Sequence, residues 1–495
     1  MRTWTRFWTA LACASVFTAG AGRSSAQDEP PPVTPIVLHP AAEPTPALKY
    51  RLVPGRAELV PGNAAIFYHR AIQMWLERQA QHRAARDAAR DPATGARKDD
   101  LEAFEWAQMP LKDIPLDRAR AYLDRYRYLL PELELGVRRI NCDWEFDTRT
   151  EAFALMIPEI QEMRSLGRLV ALKARVAIRE GRLDEAAHWI QVGLAMGRHI
   201  AHGPLMIQAL VGVNMTMTLS TALEDLIQAK GMPNLYWALV DLPRPYIELT
   251  AIDPERMMLE RELPRLRELD GLPWSVEQGR AFSDEVQKKL LPLVGSGSPA
   301  AAASNGRDWS AIATVTALVA QGYPSAKRSL IARGRPKDRV DAMPAVQVVF
   351  LDAYLDYQVH RDDVFKWAGL PFPLAYEGMG RAMDRLREVQ DRLVLKLLCS
   401  IITGVPSFAL ATARTERRLD AIQCLEAIGL YAATHKKLPD RLEDIKEVPV
   451  PVDPMTDRPF EYHLDGGHAL LSAPIVPKGF AHYSFSLHYS IELAP

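Results

Sequence analysis

"DPMTDRPFEYHLDGG", residues 453–467, is where the reading of this fold turns. Helical periodicity runs through most of the chain before it, and here that pattern stops. Phe460, Tyr462 and Leu464 alternate with Glu461 and His463, the two-residue period of a half-buried strand. Asp465-Gly466-Gly467 follows, and glycine tolerates the positive φ that a primed hairpin turn demands. FEYHL and HALLSA are therefore expected to pair across it. The chain reads as mainly α, built of helical hairpins or a bundle, with a small α+β cap at its C-terminal end.

Working back from that stretch, apolar residues recur at helical spacing over 65–90, 116–130, 151–180, 183–200 and 204–230. Further helices are expected at 253–269, 309–321, 345–367, 376–400 and 413–435. Turn signals such as "EGRLDEA", "AHGP" and "KGMPN" separate several of them at short intervals, which favours antiparallel hairpins. RARAYLDRYRYLL (118–130) interleaves Arg with Tyr122, Tyr126 and Tyr128, and aromatic helix packing accounts for it better than nucleic-acid binding. The uncharged run LLCSIITGVPSFALATA (397–413) contains Gly404 and Pro406. Its length favours a buried, Pro-broken helix over a bilayer span.

Two family resemblances follow from these residues. VPSFALATARTERRLDAIQCLEAIGLYAATHKKLPDRLEDI (405–445) passes from an apolar to a charged helix, then to a Leu438-Pro439 turn. PVPVDPMTDRPFEYHLDGGHALLSAP (449–474) adds Asp453-Pro454, Pro459, Phe460 and Tyr462 before the hairpin. This order resembles the periplasmic half of type II secretion pseudopilins, with Met455-Thr456 in place of that family's Trp-Gly. The resemblance implies a helix leading into a small antiparallel sheet, and a part in a secretion or pilus-like assembly. Some members of that family bind calcium near this end, for which Asp453, Asp457 and Asp465 are the oxygen donors at hand; Ca²⁺ takes about 6–8 oxygens, and three scattered acids are expected to serve the turns instead. ARVAIREGRLDEAAHWIQVGLAMGR (174–198) resembles one tetratricopeptide helix pair turning at Gly181. No fixed period continues it, so a hairpin rather than a repeat array is expected.

The N-terminal end reads as an export signal. Arg2 and Arg6 precede an uncharged small-apolar run, and Ser24 and Ala26 suit cleavage before Gln27. Cleavage would remove three arginines and no acid, taking the net charge from −1 to −4. That balance argues against nucleic-acid partners. Cys142, Cys399 and Cys424 would remain, an odd, widely spaced set that suits buried thiols rather than a disulfide framework. The Pro-rich segment 27–49 reads as an extended linker, and GSGSPAAAASNGRD (295–308) as a flexible one. These boundaries give a helical body at 50–294, a second helical segment at 309–404 and the cap at 405–495.

Chemical motifs are sparse. HExxH, GxSxG, GxxxxGK[ST] and CxxCH are absent from the sequence. "GSGSPA" (295–300) matches a dinucleotide fingerprint only in letters, because Pro299 and its surroundings do not make a strand–turn–helix. The best constellation is Glu185, His188, His199 and His202, which one helix would carry. A carboxylate-bridged metal bundle needs Glu-x-x-His on two helices, and only Glu185/His188 supplies one. The expectation is an exported, non-enzymatic structural or interaction protein, periplasmic or at the envelope, with protein partners and no cofactor. The alternatives are a metalloenzyme on those four residues, or a secretion-machine component.

Overall fold

Sixteen α-helices account for most of the described residues. The computed structural model describes residues 33–88, 105–146, 158–248, 250–291, 309–388, 392–400, 402–476 and 487–494. The expected signal (1–26) and the linker 295–308 lie outside the described residues. The chain begins with strand β1 (Thr34–Leu38), then β2 (Val60–Asn63) and helix α1 (Ala65–Ala88). Helices α2 (Leu116–Arg125) and α3 (Leu130–Val137) lead to β3 (Arg139–Asn141), which pairs with β2 in parallel. The expected 116–130 helix breaks at Tyr126, whose φ of −112° and ψ of 8° are not helical. Tyr122 and Tyr126 are buried against Trp106 and Trp75, so this segment packs aromatic rings inward.

Helices α4 (Pro158–Arg179), α5 (Leu183–Ala201) and α6 (Met206–Ile227) form consecutive hairpins. Gly181 makes the first turn at φ +73°. The second joint is close because small residues face each other: a Cβ on Gly212 would lie 2.4 Å from the Gly197 carbonyl oxygen. That approach buries nearly the whole inner face of α5. Helix α6 has the length and apolar content of a membrane span, and most of that window is buried among its neighbours.

Short helices α7 (Tyr236–Val240), α8 (Ile252–Arg256) and α9 (Met258–Glu262) come next. The single helix expected at 253–269 is thus corrected to two short ones and a 3₁₀ turn (Pro264–Glu268). Pro264 lacks the N–H that a continuing helix needs. Helices α10 (Val276–Lys289), α11 (Trp309–Ala332), α12 (Lys337–Ala342), α13 (Ala345–Ala368), α14 (Phe372–Glu388) and α15 (Leu393–Cys399) build the next layer. Here α11 runs eleven residues beyond the expected end at 321, with Pro324 inside it. The expected helix at 376–400 divides into α14 and α15.

Helix α16 (Val405–His435) runs for 31 residues, with Pro406 in its first turn, where a missing N–H costs nothing. Lys436 ends it in the left-handed region, at φ 58°. The apolar run 397–413 straddles the break between α15 and α16. Leu397, Leu398, Ile402, Val405 and Phe408 are buried in the protein core. The expected hairpin forms between β6 (Glu461–Asp465) and β7 (His468–Ser472), after the small antiparallel pair β4 (Val452–Asp453) and β5 (Arg458–Pro459). Asp465 faces His468 across Gly466 and Gly467, whose φ values are 55° and 90°.

Two boundary readings need correction. The first concerns the N-terminal linker. Strand β1 lies inside the segment expected to be an extended spacer, yet it pairs in parallel with the last strand, β8 (His488–Leu493). The sheet order is β1-β8-β7-β6, with Ile36 opposite Ile491 and Ile491 opposite Ala469. Ile36 and Leu38 are buried; Pro-rich flanks did not keep the apolar TPIVL between them out of the core. The second concerns the cap as a separate unit. Helix α16 buries 23 residues and touches α6, α7, α13 and α14 as well as the sheet side. One continuous hydrophobic core runs from Ile36 to Ile491. The C-terminal sheet is part of the body.

Candidate functional site

The four residues singled out from sequence do share one stretch, α5 and the turn after it. They do not converge. His188 and His199 are eleven residues apart, about 16 Å along a helix. Glu185 pairs with Lys173 at 2.7 Å and with Arg182. His188 Nε2 meets Glu134 at 2.6 Å. His199 Nδ1 lies 2.7 Å from the Tyr68 hydroxyl, and burial pushes the ring down to about 4, with His202 and Arg198 adding to it. Burial therefore favours the neutral ring. His202 turns toward Glu248, at 3.8 Å. Among the described residues no three His, Cys, Asp or Glu side chains gather as a metal would require. The metal-bundle reading of these residues is corrected on that geometry.

The proposed calcium donors are likewise spread. Asp453 is fully buried, and Arg417 holds both its oxygens, Nε to Oδ1 at 2.7 Å and Nη2 to Oδ2 at 2.6 Å. The same carboxylate accepts from Met455 N and the Thr456 hydroxyl. Asp457 takes positive φ in that turn, and Asp465 is in the hairpin strand. An oxygen already engaged by a guanidinium and two turn donors has little left for a hard cation. Asp453 is a turn anchor.

The residues that do gather were not found from sequence. They form a seam of buried charge along α16 and the facing side of α6. Arg418 places Nε on Glu224 Oε1 at 2.8 Å and Nη2 on Glu224 Oε2 at 2.7 Å. Its Nη1 donates to the Met217 carbonyl at 3.0 Å, and Tyr489 of β8 donates to Glu224 at 2.6 Å. One residue on, Asp225 meets Arg175 of α4 at 2.6 Å, and Arg175 also donates to the Trp106 and Met109 carbonyls. Burial raises the Asp225 carboxyl above its usual range, with Arg175 opposing.

On either side of Arg418 along α16, Glu416 at 2.8 Å and Asp420 pair with Arg244. Burial lifts Asp420 to about 6. Glu426, wholly enclosed, accepts the Leu235 N–H at 2.5 Å while its own carbonyl takes the Asn234 side chain at 2.8 Å. Burial pushes its carboxyl up to about 8, against the Leu235 bond. The available signal was "ARTERRLD" (413–420): charges at positions where an apolar helix face should continue.

Chemically this seam is balanced and closed. Nearly every carboxylate in it has a guanidinium or backbone donor, and the partners come from segments remote in sequence. Such fully bonded pairs orient elements rather than react. Elsewhere, an open groove of about 580 Å³ lies between residues 39–45 and 230–233, lined by His39, Glu43 and Lys230 among others. Glu43 there already accepts from the Trp237 indole at 2.8 Å. No family model matches the chain, and no curated protein or solved structure matches it.

Proposed function

We propose that this chain is an exported, non-enzymatic protein that works through contacts with other proteins in the periplasm or at the envelope surface. The observation that carries the reading is the use made of its buried charge. Arg175, Arg417, Arg418 and Glu224 are all spent on holding helices and the sheet together. A body so braced suits a rigid scaffold, which presents surface rather than transforming a substrate. The Arg-flanked apolar run before Ala26 supports export. The test is affinity capture of the tagged full chain from native envelope and soluble fractions, with N-terminal sequencing of the product. A discrete protein partner and a start at Gln27 are expected. Recovery without partners from the cytoplasm, with Met1 intact, would overturn the proposal.

A second reading, a part in a secretion or pilus-like assembly, draws support from the helix–turn–hairpin order after Val405. Tyr462 donates to the Pro439 carbonyl at 2.9 Å, joining the Leu-Pro turn to the hairpin. Co-purification with pilin-like subunits would favour this reading over the first.

A further inference from the structure

The two outer strands of the four-stranded sheet, β1 and β6, differ in how their edges are closed. On the β1 side the Val37 N–H donates to Gln228 Oε1 at 3.0 Å, and Pro35 has no N–H to offer. On the β6 side the register leaves backbone groups open. The two-residue turn at Gly466-Gly467 makes Asp465 and His468 a hydrogen-bonded pair, and antiparallel pairs alternate in type along a ladder. His463 with Leu470, and Glu461 with Ser472, are then the other bonded pairs. Tyr462 and Leu464 fall between them, so their N–H and C=O groups point away from β7. Among the described residues no donor or acceptor meets those groups, and β7 is the one element against which β6 packs closely.

Side chains decide what can be added there. Glu461, His463 and Asp465 are exposed on one face, while Tyr462 and Leu464 are half-buried on the other, against the core. Ion pairing in this sheet is made elsewhere, His468 Nδ1 meeting Glu492 at 3.0 Å. Glu461 and Asp465 have no cation within ion-pair reach among the described residues. Lys437 and Arg441, in the loop that Tyr462 binds through the Pro439 carbonyl, face Asp440 and Asp444 at 3.4 and 3.5 Å. A second copy of β6, paired antiparallel over its full length, would set Glu461 against the copy's Asp465 at both ends. Like charges directly opposite disfavour a strand pair, so basic residues are the complement at those two positions.

We propose that β6 is the docking edge for an extended basic segment of a partner protein, which adds antiparallel as a further strand. Main-chain bonds to Tyr462 and Leu464 hold it, and Lys or Arg at its positions i and i+4 face Glu461 and Asp465. Apolar residues at i+1 and i+3 extend the core beside Tyr462 and Leu464. This assignment rests on the interaction role proposed above and names its surface and the partner's chemistry. The chain's net charge of −1 gives basic peptides no general attraction, so recognition is local to the edge.

The test is fluorescence anisotropy of labelled peptides titrated with the full chain. The probe is Gly-Lys-Val-Thr-Val-Lys-Gly, beside the same peptide with Glu for both Lys and the same peptide with both valines N-methylated. Saturable binding of the Lys peptide is expected, with the Glu peptide roughly ten-fold weaker, the scale of two exposed charge pairs. N-methylation removes the donors that face Tyr462 and Leu464 and should abolish binding. Glu461→Lys leaves the edge with one charge of each sign, so the Lys and Glu peptides should then bind about equally, with the circular dichroism spectrum unchanged. No binding of the Lys peptide, binding that survives N-methylation, or a Lys preference that Glu461→Lys leaves intact would each overturn the edge assignment. None of these touches the broader interaction role, which stands or falls on the envelope capture.

Discussion

The Arg417 guanidinium and the Asp453 carboxylate meet as a parallel two-bond fork in the protein interior, 36 residues apart in sequence. Both side chains are almost fully enclosed, at 3% and 0% exposure. Arg417 also donates to the Pro474 carbonyl at 3.2 Å, so one guanidinium joins α16, the Asp-Pro turn and the end of the hairpin.

Breaking that fork from one side should be expensive, because the survivor is a buried, uncompensated charge. Asp453→Asn and Arg417→Met are each expected to destabilise the protein by roughly 3–5 kcal/mol. Replacing both, as Arg417→Met with Asp453→Leu, should recover much of the loss. Urea melts of the three variants measure this. Chelator should leave the wild-type melt unchanged, and a chelator-sensitive melt would restore the calcium reading of the turn.

At the hairpin, Gly466 and Gly467 sit at φ 55° and 90° with open space where a Cβ would go. The cost of substitution there is backbone strain, not crowding. Changing both to Val should destabilise by roughly 1–3 kcal/mol, whereas Gly466→Asn should be nearly neutral, since Asn accepts the left-handed region. Thermal melts of the full chain should rank them in that order.

Strand β1 should be indispensable to the C-terminal sheet. Ile36→Asp puts a charge opposite Ile491 in the core, at an expected cost of several kcal/mol. Limited proteolysis should then cut residues 453–493 faster than in the wild type. A fragment 413–495 lacks β1 and the helices against which α16 packs, so it should show no cooperative melt by circular dichroism. A cooperative transition in that fragment would mean the cap folds by itself after all.

Glu426 ties stability to pH with a definite sign. Its carboxyl is raised from 4.5 to about 8 in the folded chain, so the folded state holds the proton more firmly than the unfolded one. The stability it contributes is complete below about pH 4.5 and is lost as pH rises through about 8. Glu426→Gln keeps an acceptor for the Leu235 N–H and cannot ionise. The variant's melting temperature relative to wild type should therefore climb between pH 5 and pH 9. Calorimetry across that range checks it, and a constant difference would contradict the assignment.

The local part of this architecture was legible in the residues themselves. Helices α5, α6 and α13 begin and end within a few residues of their periodic patterns, because i to i+4 bonding and one apolar face are properties of a short window. The Gly466-Gly467 turn was legible for the same reason: its φ requirement belongs to two residues. Tertiary structure decided the rest. TPIVL became a core strand because β8, more than 450 residues away, offered it an edge. His188 and His199 were correctly placed on one helix, but what each faces depends on Glu134 and Tyr68, from other elements. Arg418, Glu224 and Tyr489 read in the sequence as solvent-facing side chains until folding brings three distant segments together. A buried charge is affordable only where a partner arrives to bond it, and that arrival is a fact of long-range packing, which no local window of sequence contains.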